Sequence, residues 1–209
     1  MADFVQGSVE WKRQRLGVVT ASRMADLTAK TKSGYGASRG NYLAEKLIER
    51  LTGEPQDTYT NAAMAWGSEQ EPHARNAFEF YSGETVQEVG FILHPTIKNC
   101  GASPDGLIGE RGMLEIKCPN SSTHIEYLLK EEIPLKYQLQ MQLQLMCCQR
   151  EWCEFVSYDP RLPEEMKLWT QTFAYNESMA EMLETEINKF NEELFETERQ
   201  LRSKFMEKK

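Results

Sequence analysis

Asp105, Glu115 and Lys117 are the residues whose types and spacing can do chemistry. Asp105 stands in the run Ser103-Pro104-Asp105-Gly106, and nine residues separate it from Glu115. Glu115 and Lys117 are two apart on a predicted strand, so their side chains share one side of a sheet. Asp105 starts the neighbouring strand of a predicted hairpin and can lie opposite that pair. Two carboxylates and one ammonium would then surround one small volume. A hard divalent cation such as Mg²⁺ takes oxygen ligands, usually one or two carboxylates with water and phosphate. The Ile116 carbonyl can add a further oxygen. Lys117 could position or help deprotonate a water and offset charge on an attacked phosphate. A surface hairpin with a salt bridge presents the same residues. The apolar surroundings (Leu107, Ile108, Leu114, Ile116) weigh towards a site, because unneutralised carboxylates are costly there.

Other chemistries find little support. His73, His94 and His124 share no ligand spacing. Cys100, Cys118, Cys147, Cys148 and Cys153 contain no C-x-x-C and read as reduced, mostly buried thiols. No Ser/His/Asp arrangement, Walker loop or G-x-G-x-x-G is present.

The elements that must position these residues follow from the pattern. The chain has 209 residues, 40% apolar and 27% charged, within the globular range. That length suits one unit, with a core over about residues 11–175 and a helical tail over 176–209. No apolar run approaches the ~18 residues of a membrane span, and the first residues lack a leader's apolar stretch, so a soluble cytoplasmic protein with no membrane partner is expected. The net charge is -8, yet residues 11–50 carry +6 and residues 51–175 carry -9. A basic N-terminal third on an acidic body suits a protein that grips phosphate at one place; a solvated asymmetry would look the same.

Residues 8–16 read as a short capped helix, and a second helix begins near Thr20 or Ser22. Residues 30–40 (KTKSGYGASRG) read as a basic flexible loop. A helix over 41–51 places Leu43, Leu47, Ile48 and Leu51 on one stripe, with Gly53 as its stop. Ser68 and Glu71 have capping-box spacing, which predicts a helix opening at Ser68 and ending before Gly83. Residues 85–94, 102–108 and 113–117 read as three strands, the last two joined by a hairpin turn over 109–112. Helices follow at 122–132 and from 134 through 148, then strands at 152–158 and 168–175. The tail is a long amphipathic helix with Met179, Met182, Leu183, Ile187 and Phe190 inward. The expected fold is α/β, a mixed central sheet flanked by helices on both faces.

With these residues in view, S-P-D-G-L-I followed by L-E-I-K-C-P resembles the PD-(D/E)XK nuclease superfamily with its restriction-endonuclease-like core. More narrowly, it resembles the lambda exonuclease (YqaJ-like) family of phage recombination exonucleases. Three more segments are similar to that family: Trp11 to Ser22 (WKRQRLGVVTAS), Met64 to Gly83 (MAWGSEQEPHARNAFEFYSG), and Tyr137 to Gln142 with Tyr158-Asp159-Pro160. The resemblance runs from about residue 11 to 175 and leaves the tail unassigned.

The resemblance implies a metal site of Glu71, Asp105, Glu115 and the Ile116 carbonyl, Lys117 as the catalytic lysine, and Gln140 as a glutamine that orients it. Gln140 lies among Gln138, Gln142 and Gln144, so the choice within that set stays open. The resemblance implies a 5′-phosphate pocket of Arg15, Ser22 and Ser103, with Lys32 and Met64 as DNA contacts. It also implies a Mg²⁺-dependent 5′-to-3′ exonuclease, with Mn²⁺ as a possible substitute. Such an enzyme digests one strand of linear duplex DNA to mononucleotides and leaves a 3′ single strand for recombination. A homotrimeric ring, a single-strand annealing partner and a phage or prophage origin come with it. A structure- or sequence-specific endonuclease and a non-catalytic DNA-end binder remain the alternatives.

Overall fold

The computed structural model describes residues 6–56 and 62–206. In chain order the first half runs α1 (Val9–Gln14), β1 (Val19–Thr20), α2 (Met24–Leu27), β2 (Lys30–Thr31), β3 (Gly34–Tyr35), α3 (Ala37–Thr52) and α4 (Ala62–Ser82). The second half runs β4 (Val86–Gln87), β5 (Ile92–Leu93), β6 (Cys100–Ala102), β7 (Gly106–Ile108), β8 (Gly112–Lys117), α5 (Ser121–Lys130), α6 (Leu135–Cys148), β9 (Trp152–Tyr158), β10 (Leu168–Ala174) and α7 (Glu177–Phe205). Five strands form a mixed sheet in the order β10-β9-β8-β7-β4, in which only the β8–β9 pair is parallel. A smaller sheet has the order β1-β6-β5, and β2 and β3 form a ribbon.

The period-two rule decides what β8 presents to each face. Leu114 and Ile116 pack with Ala74 and Phe78 of α4 and with Val156. Met113 packs on the other face with Tyr127 of α5, Met141 and Leu145 of α6, and Phe155. Glu115 and Lys117 share the Met113 face, beneath α6. The third core joins α2, α3, β6, α6 and the tail through Leu27, Tyr42, Ala102, Leu143 and Phe190. Within α7, Leu183, Ile187, Phe190 and Leu194 recur at helical spacing and are fully buried. The tail therefore completes a core.

The mixed α/β architecture and the strands at β8, β9 and β10 follow the sequence pattern; several boundaries differ. Ser68 does not open a helix: α4 begins six residues earlier at Ala62 and carries Pro72 in its interior. A Ser followed by a Pro four residues later imitates a helix start, because proline is tolerated in a first turn. Residues 85–94 split into β4 and β5, which belong to different sheets. Residues 102–108 are likewise divided by Ser103-Pro104-Asp105, since Pro104 has no N–H to give a ladder. The 30–40 segment holds the β2–β3 ribbon and the first residues of α3. On α3, Ile48 faces outward, while Tyr42, Lys46 and Glu49 are buried. Lys46 donates to Glu49 at 2.8 Å, and Glu49 also accepts the Gly17 amide at 2.8 Å, which explains why those charges tolerate burial.

Gly106 follows Asp105 at the start of β7 and touches β4. A Cβ there would sit 2.1 Å from Val86 Cγ1. Gly106→Ala is expected to cost about 1–3 kcal/mol through overpacking, read as a lower urea midpoint. A midpoint equal to that of the natural chain would show that β4 gives way freely.

Candidate active site

Glu115 is 1% exposed at the middle of the sheet and accepts from three side-chain donors. Its Oε1 accepts from Lys117 Nζ at 2.5 Å and from Gln140 Nε2 at 2.5 Å. Its Oε2 accepts from Gln144 Nε2 at 2.6 Å. Gln140 and Gln144 are one turn apart on α6, so both reach the same carboxylate. Gln138 and Gln142 face elsewhere: Gln138 donates to the Ile133 carbonyl at 2.7 Å, and Gln142 Oε1 accepts the Asn176 amide at 2.9 Å. The glutamine-rich run thus separates into two pairs with different work.

Asp105 lies opposite Glu115, one step beyond the Gly106–Leu114 pair. Its backbone N–H donates to the Leu114 carbonyl at 3.2 Å, and its Oδ2 accepts the Ile116 N–H at 2.6 Å. Enclosure in the protein, then the charge of Glu115, push its carboxyl well above the ordinary range, against the pull of Lys117. Glu71, one helix away, is raised by burial and by Glu115, while Arg75 opposes the rise. Arg75 Nη2 donates to Glu71 Oε1 at 2.9 Å. Burial alone would depress the Lys117 ammonium, yet Glu115 and Asp105 reverse that and hold it protonated. Three carboxylates against the Lys117 ammonium and the Arg75 guanidinium leave an excess of negative charge, which is the electrostatic condition for a divalent cation.

Among the described residues, no three His, Cys, Asp or Glu side chains form a ready-made metal cage. The oxygen donors present are the Asp105 and Glu115 carboxylates, the Ile116 carbonyl next to Glu115 on β8, and Glu71 at the groove wall. That set suits a hard cation that keeps several waters and needs no closed cage.

A second constellation sits two residues upstream of Asp105. Ser103 Oγ accepts from Arg15 Nη1 at 3.1 Å and from Trp11 Nε1 at 3.0 Å. Arg15 Cζ lies 4.1 Å above the Trp11 ring and 5.4 Å from the Phe91 ring. Of the run Lys12-Arg13-Gln14-Arg15, only Arg15 turns inward. Burial draws its pKa down to about 10, against Tyr42 and Glu49, so it stays cationic at neutral pH. A cation held by a hydroxyl and two rings keeps its charge for an anion. Ser22 is exposed in the short helical turn after β1. Since β1 pairs with β6 at Thr20↔Gly101, Ser22 and Ser103 leave the same end of two paired strands.

Lys32 occupies the exposed tip of the β2–β3 ribbon. Met64, on the first turn of α4, is 50% exposed. It lines a groove of about 440 Å³ together with Gly67, Ser68, Glu71, Asp105, Lys117 and Tyr137. A second groove, of about 600 Å³, is lined by Gly7, Trp11, Arg75 and Glu88. Ser68, Glu71 and Asp105 belong to both, so the two grooves meet at the carboxylates. From the sequence, Trp11 has no role at the site, and Gln144 stays one of four glutamines among which the choice is open. The spacing of Gln140 and Gln144 signals the latter; nothing local signals the former.

The Tyr158-Asp159-Pro160 segment has a structural task. Asp159 is fully buried and accepts from Arg161 Nε at 2.7 Å and from Arg161 Nη2 at 3.1 Å. Burial works against ionisation, but hydrogen bonds from Arg161 and Ser121 hold the carboxyl at about 2. Against an unfolded value near ~3.9, this contributes about 2 kcal/mol, present above pH ~4 and lost as pH falls towards ~2. Asp159→Asn should therefore narrow its stability deficit as unfolding is measured from pH 7 down to pH 3. A constant deficit would remove the ion pair as its cause.

Residues 10–151 match the YqaJ-like viral recombinase domain, and the chain belongs to that family. Its fold is that of an alkaline exonuclease. The chain is similar to LHK-Exo, an alkaline exonuclease from Laribacter hongkongensis, one of whose crystal structures is in complex with dAMP. Identity is 46% and the TM-score 0.89, over 94% of this chain and 97% of that one. A phage-related exonuclease from Haemophilus somnus 129PT shares the fold at a TM-score of 0.66 and 12% identity, over 86% of this chain and 96% of that one. Among curated proteins, none matches the sequence. No helix among the described residues is long and apolar enough to cross a membrane.

Proposed function

We propose that the chain is a Mg²⁺-dependent PD-(D/E)XK exonuclease that digests one strand of linear duplex DNA from its 5′ end. It releases mononucleotides and leaves a 3′ single strand. The observation that carries this reading is the placement of Ser103: its hydroxyl binds Arg15 and Trp11 two residues from Asp105. A cationic end pocket thereby adjoins a cluster of carboxylates. The similarity to an exonuclease crystallised with a deoxynucleoside monophosphate supports the same product class.

Asp105, Glu115 and the Ile116 carbonyl would hold the cation, with Glu71 on its outer side, and Mn²⁺ could substitute. Bound there, the cation would polarise the scissile phosphate. Arg15, Ser103 and Ser22 would hold the terminal phosphate and so set the register of the cut. Lys117 Nζ has three donors, of which Glu115 takes one; the others can orient a water and a phosphate oxygen. Gln140 keeps Lys117 and Glu115 in that geometry. Met64 would wedge the terminal base pair, and Lys32 would contact the duplex. The unit spans residues 1–209 and acts in the cytoplasm of a bacterial host, phage or prophage encoded. A homotrimeric ring would thread the DNA, and a single-strand annealing protein would take the product.

The test is a paired digestion with Mg²⁺. Linear duplex bearing a 5′-phosphate, the same duplex with a 5′-hydroxyl, and a closed circle are each incubated with the protein. Fast loss of the phosphorylated strand, slow loss of the hydroxyl form and an intact circle are expected. Cutting of the circle would favour an endonuclease; no Mg²⁺-dependent cutting would leave a DNA-end binder.

The ribbon that carries Lys32 is anchored by one carboxylate of the tail. Glu186 Oε1 pairs with Lys30 Nζ at 2.9 Å, and its Oε2 accepts from the Tyr35 hydroxyl at 2.7 Å. Glu186→Ala should free the ribbon and weaken duplex binding about three- to tenfold, in proportion to one or two lost phosphate contacts. Filter binding at low salt would show it; an unchanged affinity would place Lys32 off the DNA.

A further inference from the structure

Gln144 is a buried glutamine that makes one strong contact and carries one unmet group. Its Nε2 stands 2.6 Å from Glu115 Oε2 and 3.4 Å from the Ser103 carbonyl oxygen. Its Oε1 is buried and has no partner among the described residues. The two acceptors around Nε2 fix which way the amide points, since the flipped amide would set an oxygen against a carboxylate. An orphaned buried carbonyl is a cost that a residue present only for packing need not carry.

A carboxylate offers about four acceptor positions, two on each oxygen. On Glu115, Lys117 and Gln140 take both positions of Oε1, and Gln144 takes one on Oε2. The one position left open is on Oε2, the atom that Gln144 holds. We propose that Gln144 is a positioning residue, which turns Glu115 Oε2 towards the cation and ties it to Ser103 of the end pocket. This rests on the metal-dependent reading above. It adds that the glutamine behind the carboxylate tunes the affinity for the ion, whereas Gln140 acts on the side of Lys117.

The experiment is Mn²⁺ binding to the full chain without DNA, followed by calorimetry, for the natural protein and for Gln144→Met. Methionine keeps the length, removes the donors and removes the orphaned oxygen. Outer-shell partners of a metal ligand are typically worth ten- to a hundredfold in affinity. Mn²⁺ binding should therefore weaken about ten- to a hundredfold, with the melting temperature kept or raised. In digestion, kcat should fall at low Mg²⁺ and recover at high Mg²⁺, while KM for duplex stays within about twofold, because the loss lies in ion occupancy. A purely structural glutamine would give the opposite pattern, a lower melting temperature with Mn²⁺ affinity unchanged, and that result overturns the proposal. Should Gln144→Met not fold, Gln144→Asn carries the same test: the donor drawn back by one methylene must also weaken Mn²⁺ binding, or the proposal fails. Absence of Mn²⁺ binding by the natural chain would instead remove the metal-dependent reading, and this proposal with it.

Discussion

Lys117→Met is expected to slow digestion of a 5′-phosphorylated duplex by about 10³-fold or more while the protein still folds. Loss of one preorganised charge at a reacting oxygen typically costs ~10²–10³ in rate, and loss of a group that handles the water's proton ~10²–10⁴. Lys117 is placed for both, since its Nζ is held 2.5 Å from Glu115 and its side chain remains one quarter exposed to the groove. Methionine fills the space without donors. The structural penalty should stay near 1–2 kcal/mol, below the ~3–5 typical of a broken buried ion pair. Glu115 keeps Gln140 and Gln144, and the lysine is partly solvated. Single-turnover digestion together with thermal melting separates the two effects. A rate within tenfold of the natural enzyme would move Lys117 out of the chemistry and into a supporting ion pair.

The second large effect is on stability. Phe190→Ala should cost about 3–5 kcal/mol, the range for an aromatic ring deleted from a packed core. Phe190 is fully buried, stacks on Tyr42 at 5.2 Å between centroids, and lies 5.3 Å from Arg39 Cζ. For a chain of this size each kcal/mol moves the melting temperature by ~2–4 °C, so a fall of roughly 6–20 °C is expected. Phe195 on the same helix is 62% exposed, and Phe195→Ala should stay within about 0.5 kcal/mol. Equal effects of the two would mean that α7 is an appendage and not part of the core.

The candidate site was largely legible because its geometry is local. Period two on β8 places Glu115 beside Lys117, and a short hairpin returns Asp105 to their level. Gln140 could be named from its motif, but only the tertiary placement of α6 shows that Gln144 joins it. Trp11 lies 92 residues from Ser103, and no periodicity reports such a contact. Boundaries failed where signals compete. Ser68, Glu71 and Pro72 imitate a helix start within α4, and Pro104 divides one apolar run between two sheets. On α3, Leu43 and Leu47 of the expected stripe pack on the core, but Ile48 faces out, and the burial of Lys46 and Glu49 depends on the distant Gly17 amide. The tail's role was the least readable, because an amphipathic pattern tells that a face is covered and not by what.

The five cysteines are all unpaired, and four of them are buried. They are spread over β6, the end of β8, α6 and β9, one or more in each core. Burial pushes the Cys118 and Cys148 thiols up to about 12 and Cys153 well above its ordinary range. At these three thiols a reagent at pH 8 therefore meets almost no thiolate until a segment opens. Labelling rates, resolved cysteine by cysteine, would then report the free energy of opening for separate parts of the molecule. The protein thus carries its own set of clocks for local unfolding, and no residue has to be substituted to read whether the two sheets and the glutamine helix open together or in turn.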